Sequence, residues 1–234
     1  MDIQEYRDKE TKRLASNRKR LEEGVDFVDI YSAYIDDEVV IEPGATIANN
    51  VTIKGKSIIR AGAYIGQSSV IKDSEIGSGT KVEASYIYES TIGENTNVGP
   101  FAYLRPGSKI GNECKVGDFV EVKNSTFGDG SKASHLTYIG DADVGQRVNL
   151  GCGIVFVNYD GAKKYRSTIG DDAFIGCNTN IISPVEIGDG AYVAAGTTIT
   201  ENVPADALCI GRCRQTVKEN WVTKRKILKK DQNK

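Results

Sequence analysis

The chain contains a single histidine, His135, and the polar residues near it are of types that could transfer protons on an anionic substrate. Fourteen residues or fewer separate it from Glu121, Lys123, Tyr138 and Asn149. A histidine titrates close to neutral pH and can take a proton from a nucleophile, and a lysine can bind phosphate. Because a lone histidine is more often structural than catalytic, the fold that positions these side chains must decide between the two roles.

That fold is indicated by an aliphatic residue that returns every six positions, often followed by glycine. A period of six is neither that of a helix nor that of a strand, and it fits a triangular coil with one inward aliphatic residue on each side. Neighbouring turns would pair as parallel strands about 4.8 Å apart. Two stretches show the step most clearly: Ile41, Ile47, Ile53, Ile59, Ile65, and then Ile181, Ile187, Val193, Ile199.

The pattern predicts an all-β solenoid, and the likeness of its repeat to left-handed parallel β-helices implies a left-handed coil. A β-sandwich would instead alternate at period two, with turns every 8–12 residues or so. The corners of the coil need unusual backbone angles, which Gly, Asn and Asp adopt most easily; Glu94-Asn95 and Asp171-Asp172 are such corners.

Three segments follow from this organisation. Residues 1–24 are highly charged and end at Gly24, which is typical of a helix and its stop signal. Residues 25–213 form the solenoid, with a loop inserted at 152–168 where the six-step pattern stops, and such loops often carry function. Residues 214–234 are basic and predict a short helix with a tail, either as a plain cap or beside an anionic ligand.

Composition excludes several classes of function. The net charge of −2 gives no electrostatic reason to expect nucleic-acid binding, and no apolar run approaches the ~20 residues of a membrane span. Five scattered cysteines and no signal peptide predict free thiols and a cytoplasmic protein. Of these, Cys209 and Cys213 are interpreted as structural thiols, and no metal site is expected.

In such a coil, residues about eighteen apart stack on one face. Arg105 then lies beside Lys123, and Glu121 lies close to Tyr138. Two cations, a carboxylate and His135 would share a surface suited to a phosphorylated substrate and a proton transfer. This spacing favours catalysis over a purely structural histidine.

Four blocks of sequence closely resemble one family, in the same order and at the same spacing. The family is the C-terminal acetyltransferase half of the bacterial bifunctional N-acetylglucosamine-1-phosphate uridyltransferase/glucosamine-1-phosphate N-acetyltransferase. The resemblance extends from about residue 20 to 216. The blocks are Arg105-Pro106-Gly107, residues 117–123 (Gly-Asp-Phe-Val-Glu-Val-Lys), residues 130–142 around Ser134-His135-Leu136, and residues 157–161 (Val-Asn-Tyr-Asp-Gly).

The resemblance implies acetyl transfer from acetyl-coenzyme A to the amine of glucosamine-1-phosphate, in a homotrimer whose sites lie between neighbouring coils. Position by position, it implies that His135 is the general base, that Glu121 orients it, and that Asn158 lines the point of transfer. The implied sugar-phosphate ligands are Arg105, Lys123, Tyr138, Asn149 and Lys164. The implied coenzyme A contacts are Asn158, Tyr159, Cys177, Ala195 and Arg212.

Two features depart from the family pattern. Cys177 stands where the family often places a serine hydroxyl or a backbone amide near the developing oxyanion; a thiol is a weaker donor, and we interpret Cys177 as a small buried core residue. The Gly-rich uridyltransferase domain is not found in this chain, so we expect neither uridylyl transfer from UTP nor a Mg²⁺ requirement.

Two alternatives stay open at this stage. One is an acetyltransferase for another amine, such as a UDP-amino-sugar, with the same coil and base. The other is a non-catalytic trimeric scaffold for a separate uridyltransferase. Zinc-dependent carbonic anhydrase chemistry is disfavoured, because one histidine per chain cannot supply three histidine ligands per site.

Overall fold

A computed structural model describes residues 2–225, which form a parallel β-solenoid of about ten turns with a helix before it and a short helix after it. Every strand pairing within this range is parallel, apart from one isolated antiparallel bridge in a loop. The all-β solenoid predicted from the six-residue period is therefore confirmed. Neither helix of the described residues combines the length and apolar character that crossing a bilayer requires.

The strands form three sheets, and each sheet is one side of the coil. Side 1 contains Asp26–Phe27, Thr46–Ile47, Tyr64–Ile65, Lys81–Val82, Asn97–Val98, Lys115–Asp118, Lys132–His135, Asn149–Leu150, Phe174–Ile175, Tyr192–Val193 and Leu208–Cys209. Side 2 contains Tyr34–Ile35, Thr52–Lys54, Val70–Lys72, Tyr86–Tyr88, Tyr103–Leu104, Glu121–Lys123, Tyr138–Gly140, Val155–Val157, Asn180–Ile182 and Thr198–Ile199. Side 3 contains Val40–Ile41, Ile58–Ile59, Glu75–Ile76, Thr91–Ile92, Lys109–Ile110, Thr126–Phe127, Ala142–Val144, Ser167–Ile169 and Glu186–Ile187.

The core is a set of stacked aliphatic columns, one for each side. Ile47 pairs with Ile65 on side 1, and Ile53 pairs with Ile71 on side 2; all four are fully buried. Identical residues stack because each turn repeats the position of the turn before it. The residue before each inward aliphatic points outward, so every short strand presents at least one side chain to the surface.

The corners use the residue types that the sequence indicated. Asn95 and Asp172 both have positive φ angles, 52° and 58°. Side chains of the same type also join neighbouring turns, because Asp171 accepts a hydrogen bond from the backbone of Gln146 at 2.8 Å. Asp189 in turn accepts one from the backbone of Asp171 at 2.8 Å.

The N-terminal helix, Ile3–Glu22, is capped by Asp2, whose side chain accepts a hydrogen bond from the Glu5 amide at 2.8 Å. Gly24 follows the helix with φ +97°, as expected of a helix stop. The helix docks on the first turns of the coil through polar contacts. Buried Asn17 donates to the carbonyls of Ile30 and Ala33 at 2.9 and 3.0 Å.

Substitution of Asn17 by alanine is expected to lower the free energy of unfolding by about 1–3 kcal/mol, because the partly buried carbonyl of Ile30 loses its side-chain donor and the buried carbonyl of Ala33 keeps only its bond from Arg13. Urea denaturation would measure the loss, and hydrogen exchange would show faster exchange within the N-terminal helix. The matched control is Gln4→Ala, which removes an exposed amide of the same helix and should change stability by no more than about 0.5 kcal/mol. Equal losses in both variants would contradict the prediction.

Two predicted segments differ in extent. Within the predicted insertion 152–168, Val155–Val157 is a regular strand of side 2, and the segment that leaves the coil is therefore 158–166. The predicted C-terminal helix appears as Trp221–Lys224, and residues 214–220 are not helical. The remainder of that prediction, residues 226–234, lies outside the described residues, as does Met1.

Candidate active site

His135 ends a strand of side 1, at the corner where the chain turns into side 2. Its side chain is 54% exposed, and its Nδ1 atom lies 2.6 Å from Oδ1 of Asp118. The two residues are register partners on neighbouring turns. The hydrogen bond with His135 holds the pKa of Asp118 below its usual value, so this carboxyl is ionised at neutral pH.

The carboxylate in contact with His135 is therefore Asp118, whereas the sequence analysis expected Glu121 to orient this histidine. Glu121 lies beyond the corner on side 2, where its Oε1 accepts a hydrogen bond from Arg105 at 2.8 Å. The spacing in the sequence could have indicated this pair, because Asp118 precedes His135 by seventeen residues, which is one turn. The rule that placed Arg105 beside Lys123 would have placed Asp118 beside His135.

Three cations gather around that corner on side 2 and on the loop 158–166. Leu104 pairs with Val122, so the residues that follow them, Arg105 and Lys123, are neighbours as predicted. Lys164 extends from the loop towards them, and the adjacent ammonium of Lys123 lowers its pKa, with a smaller contribution from Arg105. Positive charges held this close are stabilised by an anion, and a phosphate group matches them in charge and geometry.

A buried carboxylate that the sequence did not single out connects these cations to the loop. Asp141 is 7% exposed and accepts hydrogen bonds from the side chains of Asn124 and Asn158, both at 2.6 Å. It also forms an ion pair with Lys123 at 3.2 Å. Burial raises the pKa of Asp141, but the bonds from Asn124 and Lys123 outweigh that effect, and the pKa is lowered overall.

The loop presents Asn158 and Tyr159 to the same region. Asn158 is 6% exposed, and its amide lies 3.5 Å from the Tyr138 hydroxyl. Gly140 permits this approach, because a Cβ atom there would overlap both the Tyr138 hydroxyl and the Asn158 amide. Tyr159 is exposed, and its hydroxyl donates to the carbonyl of Gly161 at 2.6 Å.

Asn149 lies apart from the other predicted sugar-phosphate ligands. It points outward from side 1, between Lys132 and Phe174, whereas Arg105, Lys123 and Tyr138 project from side 2. Two sides of a triangular coil face different directions, so one chain does not bring Asn149 to the cation cluster. A groove of about 630 Å³ on side 3 contains none of the predicted site residues.

The predicted coenzyme A contacts follow the corner that carries His135. The register continues from Leu150 to Ile175 and then to Val193, which places Cys177 and Ala195 at that corner on later turns. At about 4.8 Å per turn, they lie roughly 10 and 14 Å along the edge from His135. Cys177 is exposed, so its interpretation as a buried core residue is wrong. Arg212 is also exposed, and its Cδ lies near Gly196 at the same corner.

Comparison with known proteins identifies the repeat and its relatives. The model of the bacterial transferase hexapeptide family (six repeats) matches residues 89–124 and 166–201. The chain is 52% identical over 214 residues to the bifunctional protein GlmU of Clostridium botulinum (strain Langeland), covering 92% of this chain and 47% of that protein. It is 51% identical over 225 residues to GlmU of Clostridioides difficile (strain 630), covering 96% and 49%.

The chain thus spans about half the length of the curated relatives it matches, and the matching half is their C-terminal part. Among solved structures, LpxA from Acinetobacter baumannii aligns with a TM-score of 0.37 and 17% identity, over 84% of this chain and 76% of that chain.

Proposed function

This chain belongs to the bacterial hexapeptide-repeat proteins as a relative of the C-terminal part of GlmU, and from that premise we propose that it transfers the acetyl group of acetyl-coenzyme A to the amine of glucosamine-1-phosphate. The observation that carries the proposal is the arrangement at one corner of the coil. An exposed histidine bonded to a carboxylate lies on one side of that corner, and three cations lie on the other.

In the proposed reaction, the amine nitrogen forms a bond to the thioester carbonyl carbon, and the carbon–sulfur bond then breaks. His135 takes the proton that the amine loses and returns it to the departing thiolate of coenzyme A. A positioned histidine base contributes typically about 10²–10⁴-fold to such a step. The exposed face of the His135 ring gives an incoming amine access to it.

The sugar phosphate would be held by Arg105, Lys123 and Lys164, with Tyr138 beside them. Glu121 keeps Arg105 in place, and Asp141 keeps both Lys123 and Asn158 in place. Because the neighbouring Lys123 lowers the pKa of Lys164 when the site is empty, binding of a phosphate dianion would relieve this unfavourable interaction. This supports a phosphorylated amino sugar over a neutral amine.

Acetyl-coenzyme A would lie along the corner that runs from His135 past Cys177 and Ala195 to Arg212, with Asn158 and Tyr159 lining the point of transfer. The tetrahedral intermediate carries a negative oxygen that needs a hydrogen-bond donor. Cys177 is exposed at this corner, but its thiol is a weak donor. A backbone amide at this corner is the better donor, and we assign the oxyanion to it.

The complete site would be shared between subunits of a homotrimer in the cytoplasm. Asn149 on side 1 of one chain would meet the cation cluster on side 2 of the next. Exposed apolar rings next to the His135 corner support such an interface, because Phe101 and Phe119 stack at 5.5 Å and are 60% and 58% exposed. Leu136, on the turn after Phe119, is 58% exposed as well. An apolar column of this kind is usually covered in the assembled protein.

The test is product formation with acetyl-coenzyme A and a series of acceptors, namely glucosamine-1-phosphate, glucosamine, a UDP-linked amino sugar and N-acetylglucosamine-1-phosphate. We expect turnover with glucosamine-1-phosphate, much less with the two alternative amines, and none with the acceptor that lacks a free amine. The acetylated product should be detected by mass spectrometry, because exposed cysteines of the chain, such as Cys177 and Cys213, would react with a thiol reagent. Turnover of another amine in preference to glucosamine-1-phosphate would reject the assigned substrate, and turnover of none would reject catalysis.

A further inference from the structure

We propose that Asp118 is the positioning residue of His135, accepting a hydrogen bond from Nδ1 and leaving Nε2 as the atom that takes the proton from the amine. The inference rests on the proposed function for the identity of the reaction. Asp118 was not among the residues to which the resemblance assigned a role. It orients His135, the role that the sequence analysis expected of Glu121.

The contact is built into the solenoid. Asp118 and His135 are the last residues of two paired strands, Lys115–Asp118 and Lys132–His135, and they are direct register partners. A backbone hydrogen bond joins the two turns at the same place, because the amide of Leu136 donates to the carbonyl of Asp118 at 3.0 Å. Two side chains at equivalent positions of adjacent turns are held close together by the backbone. They therefore lose little conformational entropy when they form a hydrogen bond.

The chemistry requires one particular tautomer of the neutral ring. Within residues 2–225 the His135 ring makes one hydrogen bond, through Nδ1 to Asp118. An ionised carboxylate only accepts hydrogen bonds, so the proton of the neutral ring resides on Nδ1 and the lone pair on Nε2. In free neutral histidine the Nε2–H tautomer predominates, and that form offers no base at the exposed edge of the ring.

Among residues 2–225, the other charged groups near the pair do not form hydrogen bonds with the ring. The Glu121 carboxylate is occupied by Arg105, and the nearest cation on the same strand is Lys115, whose charge further favours the ionised form of Asp118. The Asp118 side chain is 38% exposed, so its replacement leaves no buried cavity. A change at Asp118 therefore acts on the ring and not on the core of the coil.

The experiment uses the tag-free full chain labelled with ¹⁵N-histidine, in which His135 gives the only histidine signal. Long-range ¹H–¹⁵N correlation of the ring at a pH where it is neutral reports which nitrogen carries the proton. We expect the Nδ1–H form in the wild type and a shift to predominantly Nε2–H in Asp118→Ala. Asp118→Glu keeps the carboxylate and should restore much of the Nδ1–H form.

Kinetics provide the second readout. Asp118→Ala should lower kcat for acetyl transfer by about 10- to 100-fold with little change in KM for glucosamine-1-phosphate, because the base is misdirected while the phosphate ligands are untouched. The matched control is Glu121→Gln, which removes a carboxylate next to Arg105. It should raise KM and leave the ring tautomer as in the wild type.

The two readouts separate this inference from the proposed function. A wild-type ring that carries its proton on Nε2, or an Asp118→Ala ring that stays in the Nδ1–H form, overturns the inference whatever the activity. A changed tautomer with an unchanged kcat also overturns it. A wild type that acetylates no amine rejects the proposed function, while the ring signal still decides whether Asp118 holds His135.

Discussion

Replacement of His135 by alanine is expected to lower the rate of acetyl transfer by about 10²- to 10⁴-fold, the usual contribution of a general base. The amine would then attack without a group to take its proton. The effect should fall on kcat, because the phosphate ligands Arg105 and Lys123 are unchanged. Since the His135 side chain is 54% exposed and its neighbour Ala133 supplies the inward contact, the variant should keep the fold.

The measurement is steady-state acetylation of glucosamine-1-phosphate, with circular dichroism and the oligomeric state measured on the same preparation. Lys109→Ala is the control, because it removes an exposed, outward side chain from side 3, away from the corner. It should retain the wild-type rate. A folded His135→Ala protein with the wild-type rate would show that another group, or solvent, is the base.

Asp141→Asn is expected to have the largest effect on stability among the site residues. The change keeps the size of the side chain and its tolerance of the positive φ angle of 51°, but it removes the charge. Asn124, Asn158 and Lys123 all donate to this carboxylate, and an amide would turn its own NH₂ group towards at least one of them. Loss of one partner of a fully buried ion pair typically costs about 3–5 kcal/mol, and because the Lys123 side chain is 18% exposed, we expect a loss near the lower end of that range.

The pH dependence of this loss has a defined sign. The pKa of Asp141 is lowered in the folded protein, so its contribution is present above the pKa of the unfolded chain, about 4. The contribution disappears as the pH falls through the lowered value. The difference in unfolding free energy between wild type and Asp141→Asn should therefore be full at pH 7 and should shrink on acidification below about pH 4.

Urea denaturation at several pH values measures this difference, and Asp172→Asn is the matched control. Asp172 also has a positive φ angle, 58°, and also pairs with a cation, Arg147, but its side chain is 56% exposed. Its replacement should cost less than about 1 kcal/mol. Activity should fall as well in Asp141→Asn, because Lys123 and Asn158 lose their common anchor. Equal losses of stability in the two variants would show that the burial of Asp141 is not the cause.

The solenoid and the polar face of side 2 could be predicted from the sequence, because both depend only on spacing. Ile47, Ile53, Ile59 and Ile65 recur at steps of six residues, and a coil with six residues on each side turns that recurrence directly into a buried core. Arg105 and Lys123 differ by eighteen residues, which is one full turn. In a repeating coil, the number of residues between two positions determines whether they lie on the same side, so the contact between these two residues could be predicted from their spacing.

The tertiary structure determined the contacts that a constant number of residues per turn does not predict. A corner of the coil separates Glu121 from His135, so the nearer carboxylate is Asp118, one turn back on the same side. Some turns have seventeen residues instead of eighteen, and a shorter turn changes which side chains lie next to each other. One such turn joins Asp118 to His135. Another joins Asn124 to Asp141 and places the Asp141 carboxylate beneath the loop. Cys177 is exposed because it stands at a corner and not on an inward column.

The sequence by itself thus determined the period, the three-sided coil and the residue types at the site, since these depend on local spacing and on side-chain chemistry. Only the tertiary structure determined which carboxylate contacts His135 and which one joins Lys123 to Asn158. Those contacts form between turns, at corners where the length of the turn varies, and hydrogen-bond geometry then selects one partner among several acidic residues of similar spacing.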